Sequence, residues 1–174
     1  DGVVKEQSSS YQLFDLDFFL LAYVKAAHSQ RSFSIEYAER LLQSIRCLHF
    51  LQTPDHRLPL FGDGDDGRGF RLRESDYSGN ARGVIGIGGG VFHDKTLCIS
   101  DYCNEESFWL LTEAEWNSAK SQVIKPQAEM CTIFKEGGHV VLRNGRSSTS
   151  DYCFFRAGSF GLGGEGFSSH SHND

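Results

Sequence analysis

The chain closes on the phrase HSHND, which sets His170, His172 and Asp174 at every second position. Side chains alternate across an extended strand, so these three would share one side. Imidazoles and a carboxylate gathered on one face can ligate a metal or move protons. A solvated polar loop would carry the same residues, and spacing alone leaves both readings open. A second grouping lies at the other end, in DGVVKEQSSSY, where Glu6, Gln7 and Tyr11 stand near a helix start. Glu and Ser there suit a first turn and its cap. The same carboxyl and phenol could instead face a cleft.

Other phrases suggest chemistry and fit it less well. HSHND matches the HxHxD of the metallo-β-lactamase superfamily, but the residues before it, GGEGFSS, are not a buried apolar strand. GVIGIGGG contains GxGGG, yet a dinucleotide fingerprint needs a strand before it and a helix after it. The polar lead-in SGNARG is not such a strand, so these glycines read as permitting close packing. GDGDDGR has the composition of a calcium loop. Counting from Asp63, Asp65 and Glu74 fit the pattern, but Gly67 and Arg68 occupy its fifth and sixth positions, where an oxygen ligand and a glycine are needed.

The 174 residues suffice for one domain, and Asp plus Glu number 23 against 17 Lys plus Arg. That acidic balance argues against a general nucleic-acid binder. No apolar run approaches the roughly 20 residues that span a bilayer, and FDLDFFLLAYV is interrupted by Asp15 and Asp17. The five cysteines are odd in number and form no CxxC pair, which fits small buried hydrophobes better than a disulfide framework or a zinc ribbon. The opening on Asp1-Gly2 and the close inside a His-rich phrase read as an internal piece of a longer protein.

These groups must be carried by elements, and the period of the apolar residues indicates which. Tyr11 to Ala27 reads as a helix capped from Ser8–Ser10, with Phe18 and Phe19 widening its buried face. Ser34 caps a second helix, whose stripe runs through Ile35, Ala38, Leu41, Leu42, Ile45 and Leu48 and which ends at Thr53-Pro54-Asp55. A short link between them predicts a helical hairpin. LPLFGDGDDGRGFRLRESDYSGNARG is a long charged loop, a length that is often functional. VIGIGGGVFHDKTLC predicts a further helix or mixed segment, and ESFWLLTEAEW a short amphipathic one. Beyond Pro126 the period falls to two. MCTIFKEGGHVVLRNG predicts a hairpin turning at Glu136-Gly137-Gly138, and SDYCFFRAGSF a further strand. Helices first and strands after is an α+β order.

Five phrases in this order carry a family resemblance: EQSSSYQLFDLDFFLLA, PDHRLPLFGDGDDGR, ESFWLLTEAEW, FKEGGHVVLRNG and the terminal HSHND. Together they resemble the heparinase II/III family of polysaccharide lyases across nearly the whole chain. The resemblance implies the end of an (α/α) toroid over residues 1–125 and the first strands of an antiparallel β-sandwich over 126–174. It implies β-elimination of a uronate-containing acidic polysaccharide, in a periplasmic or secreted setting. That reaction removes a weakly acidic C5 proton, stabilises the developing charge and protonates the leaving glycosidic oxygen.

Carried over by position, His170 resembles the family's catalytic sandwich His, and Glu6 an acid lining the cleft. Tyr11 and Tyr77 are the candidates for the catalytic Tyr, Tyr11 being the one assigned here. Gln7, Arg68 and Arg71 would bind substrate, the arginines offsetting the acidic net charge together with Arg73 and Arg82. His172 resembles a zinc ligand, which implies a structural zinc completed by later residues. Where some members have His or Asn shortly before the Glu6 position, this chain has Val3, Val4 and Lys5. Two alternatives are a catalytically inactive glycan-binding protein on the same fold and a zinc-dependent hydrolase using HSHND.

Overall fold

The computed structural model describes residues 1–64, 67–70, 72, 79–121, 130–159 and 170. The first helix, α1, spans Ser9–His28. It starts where Ser8 turns extended and its hydroxyl accepts from the Tyr11 amide at 3.4 Å. Leu13, Leu16, Leu20 and Val24 repeat every three or four residues and are buried. Phe18 and Phe19 do not widen that face as expected; they are 50% and 52% exposed. Two residues on from Leu16, Phe18 is turned about 200° around the helix and points away.

The second helix, α2, spans Ile35–Leu51, with the Ser34 hydroxyl accepting from the Tyr37 amide at 3.2 Å. Its buried side is Leu41, Ile45, Leu48 and Leu51, while Ile35 at the first position is 79% exposed. The third, α3, spans Arg82–Phe92 and carries the GVIGIGGG phrase inside the helix, so these glycines line no strand-to-helix turn. A Cβ on Gly86 would lie 2.2 Å from the Tyr102 carbonyl oxygen, and one on Gly90 2.6 Å from Leu111 Cδ1. The glycines thus let α3 lie against its neighbours where no side chain fits. Gly costs roughly 1 kcal/mol of helix propensity relative to Ala, which this burial offsets. Helices α1, α2 and α3 pack on one another around Leu20, Ile45, Leu48, Ile85 and Ile87.

After a 3₁₀ turn at Ser100–Tyr102 come α4, Glu105–Leu110, and α5, Glu113–Ser121. Asn104 and Ser107 close a reciprocal cap on α4. No helix among the described residues is long and apolar enough to cross a membrane.

The strands follow. β1, Cys131–Phe134, pairs antiparallel with β2, His139–Arg143, which pairs antiparallel with β3, Tyr152–Arg156. Gly138 closes the first hairpin at φ 69°, as the Gly137-Gly138 signal requires. The described residues therefore form an α+β arrangement, helices first and a three-stranded antiparallel sheet after.

The sheet has two contrasting sides. Phe134, His139, Val141 and Arg143 are buried against the helical part. There Tyr152 Oη donates to the Leu51 carbonyl at 2.7 Å, Arg143 donates to the Phe50 carbonyl, and Phe154 stacks on Phe61 at 5.0 Å between ring centroids. The other side presents Ile133, Leu142 and Phe155, all exposed, with Cys131 and Cys153. Of the five cysteines only Cys47 and Cys98 are buried, so the expectation of buried thiols fails on the sheet.

Two buried imidazoles make the fold sensitive to acid. Burial, aided by Arg146 and Arg143, pushes His49 down to about 3; burial, aided by Arg156, pushes His139 down to about 4. Both are neutral in the folded state. Below about pH 6.5 the unfolded chain takes up protons that the folded chain refuses, so stability is full above that pH and falls toward pH 4. Each group costs at most about 1.4 kcal/mol per pH unit in that window. By pH 5.5 the two together lower stability by about 3 kcal/mol, and the melting temperature by roughly 6 to 10 °C. A melting curve that stays flat between pH 7 and 5.5 would show that these rings already carry protons when folded.

Candidate active site

The approach to α1 and residues 61–63 run side by side. The Ser8 hydroxyl donates to the Asp63 carbonyl at 3.0 Å, and the Ser9 amide donates to the Phe61 carbonyl at 3.3 Å. His170 lies across both segments. Its amide donates to the Glu6 carbonyl at 2.8 Å, and its carbonyl accepts from the Asp63 amide. Gly62 permits this approach: at φ 70°, a Cβ would sit 2.6 Å from both the Gln7 and the His170 carbonyl oxygens. Backbone contacts thus fix where the imidazole stands before any side chain acts on it.

The ring is held on three sides. Tyr11, in the first turn of α1, stacks on it at 3.7 Å between centroids with the planes 7° apart. Asp63 Oδ2 stands 3.3 Å from Nδ1 and Glu6 Oε2 stands 3.6 Å from Nε2. Asp15, one helical turn beyond Tyr11, belongs to the same field. Burial, and then the Glu6 charge, push its carboxyl above the usual carboxylate range, while His170 pulls it back. Beside Tyr11 an open cleft of about 230 Å³ is lined by Ser10, Tyr11, Phe14 and Gly67. Glu6, Tyr11 and His170, singled out from opposite ends of the sequence, are therefore brought side by side, with Tyr11 lining the cleft.

Two of the expected substrate-binding residues, Gln7 and Arg68, are engaged in other contacts. Gln7 takes a left-handed backbone, φ 57°, and is buried, its Oε1 3.3 Å from His139 Nε2. It joins the helical part to β2. Arg68, its side chain 3% exposed, is bidentate to Asp17 at 2.6 and 2.9 Å and lies 3.7 Å from Glu106. Asp17 also accepts from the Gly69 amide at 2.9 Å. The loop arginine is thus engaged in a buried ion cluster and not presented on the cleft. Arg71, Arg73, Tyr77 and the terminal His172 and Asp174 lie outside the described residues.

Asp63 and Asp15 are the members that sequence reasoning missed. In the sequence Asp63 reads only as the first position of a calcium loop. The glycines on both sides of it mark a tight turn, but not what the turn faces. Among the described residues no group of three or more His, Cys, Asp and Glu is arranged to hold a metal ion. His172, the residue expected to hold zinc, lies outside the described residues; a phenol, an imidazole and carboxyls set side by side can transfer protons. Compared with known families, characterised proteins and solved structures, the chain matches none.

Proposed function

We propose that this chain belongs to a polysaccharide lyase that cleaves a uronate-containing acidic glycan by β-elimination, with Tyr11 and His170 as its proton-transfer pair. The observation that carries this reading is the stacking of Tyr11 on His170 beside an open cleft. The elimination needs two proton-handling groups near one sugar. One takes the C5 proton; the C4–oxygen bond then breaks as a C4–C5 double bond forms. The other returns a proton to the leaving oxygen. Tyr11 as base and His170 as acid meet that need, with Glu6 compensating the imidazolium. A protonated His170 also supplies positive charge near the substrate carboxylate.

The finer architecture is part of the same proposal: the helices close a toroid and the sheet opens a β-sandwich. The exposed apolar side of the sheet supports it, because stacked sheets bury apolar inner faces against each other. A structural zinc at His172 and a periplasmic or secreted setting go with this reading. We expect His172→Ala in the intact protein to lose zinc and melt earlier, and His170→Ala to keep its zinc. Equal metal content in all three proteins would remove His172 from the zinc site.

A second reading is a glycan-binding protein without chemistry, and one observation bears on both readings. Arg68 is engaged by Asp17 while Glu6, Asp15 and Asp63 surround His170, a setting less suited to a polyanion. The intact protein incubated with a panel of uronate glycans separates the readings. Ultraviolet absorbance from unsaturated uronate products identifies a lyase. Binding heat without that absorbance identifies a binder, and new reducing ends without it a hydrolase.

A further inference from the structure

We propose that Asp63 is a positioning residue for His170: its carboxylate accepts a hydrogen bond from Nδ1–H, which leaves Nε2 as the nitrogen that exchanges protons. Three observations converge on this. The Asp63 amide donates to the His170 carbonyl, so backbone and side chain of one residue grip the same histidine. The Ser8 hydroxyl and the constrained Gly62 hold Asp63 in turn. Tyr11 fixes the ring plane by stacking.

Position and plane being set, the freedom left to a neutral imidazole is its tautomer. That choice follows the hydrogen bond made by the ring nitrogen with the better partner. Asp63 Oδ2 at 3.3 Å is within reach of Nδ1, whereas Glu6 Oε2 at 3.6 Å from Nε2 is beyond hydrogen-bond distance. A carboxylate acceptor makes the Nδ1–H bond charge-assisted and hence the stronger. Nε2 then keeps its lone pair. When it takes a proton, the imidazolium lies between Asp63 and Glu6, with Asp15 in the same field. The tautomer follows from this geometry alone; its catalytic consequence rests on the lyase reading.

The test uses the intact protein, ¹⁵N-labelled, as wild type and as Asp63→Leu and Asp63→Asn. Leucine keeps the size and removes the acceptor; asparagine keeps an acceptor without charge. Long-range ¹H–¹⁵N spectra are expected to show Nδ1–H at His170 in the wild type and the Asn variant, and Nε2–H in the Leu variant. On a uronate glycan, turnover is expected to fall roughly 10- to 100-fold in the Leu variant. The Asn variant should recover part of the loss, with KM changed much less than turnover. Nε2–H in the wild type, or Nδ1–H in the Leu variant, overturns the assignment. The expected tautomers in a wild type that yields no unsaturated product leave Asp63 in its role and remove the lyase reading. Should the Leu variant not fold, the Asn variant decides. Nε2–H at His170 in that variant overturns the proposal.

Discussion

On the proposed lyase reading, His170→Ala in the intact protein is expected to lower turnover of a uronate glycan by about 100-fold or more, the scale of a lost general acid or base. The expectation rests on how the ring is held. Its backbone bonds to Glu6 and Asp63 use main-chain atoms and survive the substitution. Alanine therefore removes the imidazole and its stacking with Tyr11 while leaving the chain path intact. Substrate affinity should change less than turnover, because the cleft beside Tyr11 is lined by Ser10, Phe14 and Gly67. The measurement is steady-state absorbance kinetics of wild type and variant, with melting temperatures beside them. Unchanged turnover on a verified substrate would take His170 out of the mechanism.

Arg68→Ala is the corresponding test of stability. Asp17 is fully buried and Arg68 nearly so, with two side-chain bonds between them. A buried ion pair exchanged whole for apolar residues can be neutral, but removing one partner strands the other. Alanine would leave the Asp17 carboxylate inside the protein with the Gly69 amide still donating to it, and Glu106 without the guanidinium 3.7 Å away. The expected cost is about 3 to 5 kcal/mol. For a chain of this size that is a fall in melting temperature of about 10 °C. The outcome also separates two roles for this arginine. A large fall assigns it to the ion cluster; an unchanged melting temperature with a raised KM would return it to the substrate.

The elements were legible because their signals are local. Ser8 and Ser34 cap where the sequence places caps, the Leu13–Leu16–Leu20–Val24 stripe faces the core, and Gly138 turns the hairpin. The change of period near Pro126 agrees with α5 ending at Ser121 and β1 beginning at Cys131. Side-chain environment was harder to foresee, because it depends on partners far away in the chain. Phe18 and Phe19 look like core by residue type and are exposed, Phe18 because its place around α1 turns it away from Leu16. Arg68 looks like a surface cation in a charged loop and is buried, because its partner Asp17 sits on α1. Gln7 looks polar and available, yet it is bonded to His139 on β2. Of the site, Glu6, Tyr11 and His170 could be singled out by residue type and phrase. Asp63 and Asp15 could not, because their relation to His170 exists only once the chain has folded.

The grip on His170 also bears on the order of assembly. Asp63 and His170 are 107 positions apart, and neither the helices nor the β1–β2 hairpin needs their contact in order to form. Closing so long a loop costs chain entropy that only a docked helical part can offset. We expect this contact to form late in folding and to open early. Local opening in the native ensemble exposes such contacts to hydrogen exchange well before the core. The His170 amide should therefore exchange with deuterium faster than the amides inside α2, even in a protein that stays folded.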